Sequence, residues 1–258
     1  MASSSAPQQV TGFYGDTYGL VWSDEFGYTG APDPAKWTYQ VGGHGWGNNE
    51  LEYYTDGGHN AQVADGVLSI TARHEAMGER EYTSARIATR GRASWLYGFV
   101  DVRAKLPRGL GTWPAIWMIP EESVYGGWPK SGEIDIMEHV GFDQDVIVGS
   151  VHTEAFNHRI GTQKNNTVRV PGVSDDFHNY QLEWRPDGIT LAVDGKPYFR
   201  YDPKEHVSEV SSKEWPFDRP FHLILNVAFG GDWGGAQGVD ASVLPQAMAV
   251  EYARVYQK

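Results

Sequence analysis

The sequence predicts an all-β protein, a jelly-roll β-sandwich of two packed antiparallel sheets, and three observations lead there. Short runs alternate apolar and polar residues with a period of two, helical periodicity is poor, and Gly, Pro and Asp punctuate the runs. No internal repeat is present, so two packed sheets are favoured over a propeller or closed barrel.

In chain order, residues 1–9 are small and polar and read as a flexible lead, leaving 10–258 as a single sandwich domain. Val100, Val102, Ala104 and Leu106 interleave with Asp101, Arg103 and Lys105, which is a strand with one buried face. Within residues 111–118, Trp113 and Trp117 stand four apart and so can face the same side of a strand. A further strand crosses residues 131–141, with an unusual spacing of acids. Tyr180, Leu182 and Trp184 alternate with Gln181, Glu183 and Arg185, and Pro186-Asp187-Gly188 turns that strand into another over 189–193. Asp194-Gly195 is a favoured hairpin turn, and 196–201 returns as the third strand of a meander. Ser211 to Glu214 can form only a short turn. Residues 221–229 are almost continuously apolar, as in a strand buried on both faces, and stop at Gly230-Gly231. Residues 248–256 form the last strand.

Composition narrows the partners. The chain has 258 residues and a formal net charge of -12, from 33 acidic against 21 basic residues. Phosphates and anionic membrane surfaces are therefore repelled, and nucleic acid and membrane are excluded as expected partners. Cysteine is absent, which removes disulfides, thiol nucleophiles and thiolate metal sites together. No apolar run reaches the length that crosses a bilayer, and the lead lacks the basic start and apolar centre of a signal peptide. The 31 glycines and 10 tryptophans pair tight turns with flat apolar rings that carry a polar edge, a combination suited to sugars.

The segment from Ser131 to Gly141 concentrates the chemistry. Glu133 and Asp135 share one strand face while Ile134 and Ile136 point to the core, but a regular pleat would turn Glu138 inward. Burying an unpaired carboxylate is costly. A β-bulge at Ile136 or Met137 would return Glu138 to the face of the other two acids. Glycoside hydrolysis with retention needs two carboxyls about 5 to 5.5 Å apart, one attacking the anomeric carbon and one protonating the leaving oxygen. Glu133 is the expected nucleophile and Glu138 the acid/base. Asp135 lies between them, in a set that shares a proton because three close acids cannot all ionise. A solvated acidic strand would show the same spacing, but the stacking surfaces of Trp113 and Trp117 just upstream favour chemistry.

With these residues in place, the chain resembles family 16 glycoside hydrolases, and among them the bacterial endo-β-1,3-glucanases called laminarinases. The resemblance spans nearly the whole chain, through residues 46–55, 111–118, 132–141, 151–153 and 226–235 in the same order. It implies a concave cleft on one of two curved sheets, retention, and the roles already given to Glu133, Asp135 and Glu138. Lichenase-type members carry the unbulged E-x-D-x-E, whereas the extra Met137 here matches the longer form of laminarinases, agarases and carrageenases.

The resemblance also implies Trp113 and Trp117 as sugar platforms on the glycone side, with Asn49 and Arg86 as hydrogen-bonding groups there. It places His152 beside the acid/base and makes Trp233 a wall of the cleft. A structural calcium on the convex side would use Glu25, the carbonyl of Gly66 and Glu251. No cofactor is implied for catalysis. The expected partner is a β-glucan polysaccharide, laminarin-like or also mixed-linked, met outside the membrane by a secreted, monomeric enzyme. The competing readings are an agarase- or carrageenase-type hydrolase and a non-catalytic β-glucan-binding sandwich.

Overall fold

The computed structural model describes residues 6–258, and these form two sheets of eleven and seven strands packed face to face. The larger sheet runs from Lys196–Tyr201 through Gly188–Val193, His178–Arg185, Gly98–Lys105, Gln246–Gln257, Val67–Met77 and Arg80–Ser84 to Glu52–Tyr54. The smaller runs from Lys164–Arg169 through Val146–His152, Glu133–Glu138, Thr112–Pro120, Phe221–Phe229 and Arg86–Ala88 to Thr38–Tyr39. Pairing is antiparallel except where Glu52–Tyr54 joins Arg80–Ser84 in parallel. The protein is a jelly-roll sandwich.

Period-two alternation explains how the sheets meet. Val100, Val102 and Ala104 enter the core from the larger sheet, and Ile116, Met118, Ile134, Leu223, Leu225 and Val227 enter it from the smaller. Each of these side chains other than Ala104 contributes about 1.5–3 kcal/mol by leaving water. The meander pairs Tyr180 with Val193 and Leu191 with Phe199. The strand Phe221–Phe229 is buried along its whole length, but its second face is no simple core, because Asn226 and Ala228 form part of the cleft floor.

Two expectations change. Gln9 is not lead: it opens the strand Gln9–Thr11 against Thr17–Asp24, and the Gln8 carbonyl accepts from the Leu20 amide at 2.9 Å. Residues 1–5 lie outside those described. A four-residue helix, Gly231–Gly234, follows the 221–229 strand where only a glycine stop was expected. The turn at Ser211–Glu214 is present.

Candidate active site

The three acids reach one face through a bulge. Along the strand Glu133–Glu138, Ile134 pairs with Met118 and Asp135 with Trp117, after which Met137 pairs with Ile116 and Glu138 with Ala115. Ile136 has no partner in that ladder. On the other edge Asp135 sits opposite Ser150 and Glu138 opposite Val148, so two residues face Gly149 alone. Ile134, Ile136 and Met137 are fully buried, while Glu133, Asp135 and Glu138 all line the cleft. The Tyr198 hydroxyl, from the opposite sheet, donates to the Ile136 carbonyl at 3.5 Å. It can come this close only because residue 149 is glycine: a Cβ there would collide with that hydroxyl and with Leu191.

Each glutamate has one oxygen held by an indole. Trp128 Nε1 donates to Glu133 Oε2 at 3.1 Å, and Trp113 Nε1 donates to Glu138 Oε1 at 3.0 Å. Among the described residues, the second oxygens, Glu133 Oε1 and Glu138 Oε2, accept no side-chain hydrogen bond. Burial pushes all three carboxyls up to about 8, with the charge of Asp135 the next cause for both glutamates. The cluster therefore keeps protons at neutral pH, so a donor and an anion can coexist in it.

A groove of about 760 Å³ runs across these acids. Trp113 and Trp117 border it on the strand Thr112–Pro120, and Trp233 meets Trp113 edge to face at 5.6 Å. Arg86 is clamped between two rings, 4.7 Å from Trp46 and 4.6 Å from Trp117. Its guanidinium is thus a fixed planar donor at the cleft wall. A chain of hydrogen bonds fixes Trp117 in turn. Its Nε1 donates to Asn226 Oδ1 at 2.8 Å, Asn226 Nδ2 donates to the Tyr54 oxygen at 3.1 Å, and Tyr54 donates to Glu50 Oε2 at 2.8 Å. The chain ends on a carboxyl pair, because Glu50 neighbours the fully buried Glu52, whose pKa burial raises well above the usual range.

Of the sequence-derived residues, the structure gathers Glu133, Asp135, Glu138, Arg86, Trp113, Trp117, His152 and Trp233 around one groove. His152 stands opposite Glu133 in the ladder, with Nε2 3.2 Å from Asp135 Oδ2 and 3.8 Å from Glu133 Oε1, and its charge also acts on Glu138. Asn49 is not in the groove lining; its amide donates to Asp232 Oδ1 at 2.8 Å at the rim, and Asn48 lines the groove instead. Glu25 accepts two hydrogen bonds from Arg254, at 2.9 and 2.6 Å, and Glu251 one from Arg103 at 2.6 Å. Gly66 closes the turn before the strand Val67–Met77 in a left-handed conformation, φ 79°. Oxygen donors suit calcium, and in this structure both carboxylates also pair with guanidinium groups.

Sequence reasoning missed Trp128, Tyr54, Asn226 and Tyr198. Tyr54 lay inside a segment used only for resemblance, and Asn226 inside a run taken as core. Trp128 sits in unpatterned surroundings, and Tyr198 was read only as part of the meander's third strand.

Residues 46–254 match the sequence model of glycosyl hydrolases family 16. A β-glucanase of Rhodothermus marinus is 57% identical over 242 residues, covering 92% of this chain and 84% of that protein. The X-ray structure of the laminarinase from Rhodothermus marinus superposes with a TM-score of 0.91 at 56% identity, over 93% of this chain and 97% of that one. A mutant of a non-specific endo-β-1,3(4)-glucanase, crystallised presenting 1,3-β-D-cellobiosyl-glucose at its active site, superposes with a TM-score of 0.89 at 47% identity, over 93% and 95% of the two chains.

Proposed function

The chain belongs to glycosyl hydrolase family 16, and on that premise we propose that it is a retaining endo-β-1,3-glucanase acting on laminarin-like glucan. The single observation that carries the reading is the bulged strand that sets Glu133, Asp135 and Glu138 on one tryptophan-walled groove.

In this reading Glu133 Oε1 attacks the anomeric carbon while Trp128 holds Oε2. The glycosidic C–O bond breaks, and Glu138 gives its proton to the leaving oxygen from Oε2, with Oε1 anchored by Trp113. The product is a glycosyl ester on Glu133. Glu138, now ionised, takes a proton from water, the water oxygen attacks the same carbon, and Glu133 leaves as a carboxylate. Trp117, Trp113 and Arg86 would hold the glycone sugars by stacking and hydrogen bonding. After burial, the negative charge of Asp135 raises the Glu138 pKa and so favours the protonated form that donates.

Replacing Glu133 or Glu138 by Ala should remove new reducing ends from laminarin, a loss on the order of 10³-fold or more. Added azide then separates the roles. A Glu133→Ala enzyme should form the inverted glycosyl azide and Glu138→Ala the retained one; wild-type rates in both variants defeat the proposal. Mixed-linked glucan is a second substrate in the proposal, supported by the 1,3(4) specificity named for the 47% identical relative. Calcium at Glu25, Gly66 and Glu251 is also proposed. Millimolar calcium should raise the Tm of wild type and not of Glu251→Ala, and an unmoved wild-type Tm removes calcium from the account. A polymeric glucan is met outside the membrane, and no helix among the described residues is long and apolar enough to cross one.

A further inference from the structure

The contacts of His152 with two of the three acids suggest a second use of the same groove. Its Nε2, Glu133 Oε1 and an Asp135 oxygen all lie within 4.8 Å of one another. The separations of 3.2 Å from Nε2 to Asp135 Oδ2 and 3.8 Å to Glu133 Oε1 bracket the distance of about 3.4 Å between two ligands on one tetrahedral zinc, given bonds of about 2.0–2.1 Å. Asp135 is 3% exposed, and its Oδ2 accepts no hydrogen bond even though the imidazole is so near. In its ionised form a buried carboxylate oxygen without a donor is expensive, and a bound cation would stabilise it. A cation shared by Asp135, His152 and Glu133 would meet one ligand atom from each, since these atoms lie within 4.8 Å of one another.

We propose that Glu133, Asp135 and His152 form a reversible site for a zinc-class dication, which switches hydrolysis off by occupying the attacking oxygen. One imidazole and two carboxylates suit Zn²⁺, whereas Mg²⁺ prefers an octahedral shell of oxygens and keeps its waters. Glu133, Asp135 and His152 all line the groove, so an ion could reach them from solvent and keep a water ligand. His152 Nδ1 has no hydrogen-bond partner to tune the ring, so binding should be micromolar and reversible, weaker than a structural zinc site.

The test is calorimetric titration of the full chain with ZnCl₂ at pH 7, with MgCl₂ as control. One Zn²⁺ should bind per chain, with no comparable Mg²⁺ signal. His152→Ala and the near-isosteric Asp135→Asn, both checked for an intact thermal transition, should each weaken binding by at least about tenfold, since even outer partners of metal ligands cost that much. His59→Ala removes the exposed His59–Glu75 pair, 2.7 Å apart, and should leave the affinity unchanged. Inhibition of laminarin hydrolysis should follow the calorimetric affinity and reverse with EDTA. Absence of binding, or equal affinity in wild type, His152→Ala and Asp135→Asn, overturns the site. Because binding is read directly, failure here is separable from failure of the glucanase reading, which rests on products.

Discussion

Glu133, Asp135 and Glu138 carry fewer than three charges between them at neutral pH, since burial raises each carboxyl to about 8. The fold thus holds protons that the unfolded chain has already released above the ordinary 4.5 of a glutamate. Stability is full below that value and falls as pH rises through about 8. Glu133→Gln removes one such group: its Tm should equal wild type near pH 4.5 and exceed it increasingly as pH rises to 8, by about 2–4 °C for each kcal/mol in a chain of this size. A Tm difference that is flat with pH would contradict the buried-acid account. Tyr54 supplies a second residue-scale expectation. Its hydroxyl joins Glu50 to Asn226 and so to the Trp117 indole. Tyr54→Phe should raise KM for laminarin by roughly tenfold with a smaller change in kcat, as loss of about 1–1.5 kcal/mol of hydrogen bonding to a platform implies. A fall in kcat at unchanged KM would place Tyr54 elsewhere in the mechanism.

At the level of the element, the bulge decides everything that the acid strand can do. An added residue turns Glu138 from the core to the cleft, and the unpaired Ile136 carbonyl is met by Tyr198 across Gly149. Gly149→Ala must push Tyr198 and Leu191 away, at a cost of about 1–3 kcal/mol. The expected result is a lower Tm together with lower kcat, partly restored in Gly149→Ala/Tyr198→Phe, where the hydroxyl no longer collides. Full kcat in Gly149→Ala would show that the bulge needs no support from the second sheet. The alternation of the strand was legible in Ile134 and Ile136, and the need for a bulge in the position of Glu138. Its support was not, because Tyr198 is sixty residues away and belongs to the other sheet.

Across the whole molecule, the net charge of -12 and the acid-lined groove together select the polymer. Neutral laminarin and mixed-linked glucan should be cut, while carrageenan, which carries sulfates, should be repelled and left intact, the more so at low salt. Carrageenan cleavage at rates comparable to laminarin would undo this reading.

Pattern along the chain was enough to set the sandwich, the meander over residues 178–201 and the three acids, because strand periodicity and turn residues act between near neighbours. It could not tell that Asn226 forms cleft floor in a run that reads as core, nor that Asn49 turns to Asp232 and His152 to Asp135. Those outcomes depend on contacts between residues far apart in sequence, which only the packing of two twisted sheets brings within a few ångströms. Periodicity assigns a face to each side chain; tertiary structure assigns its neighbours.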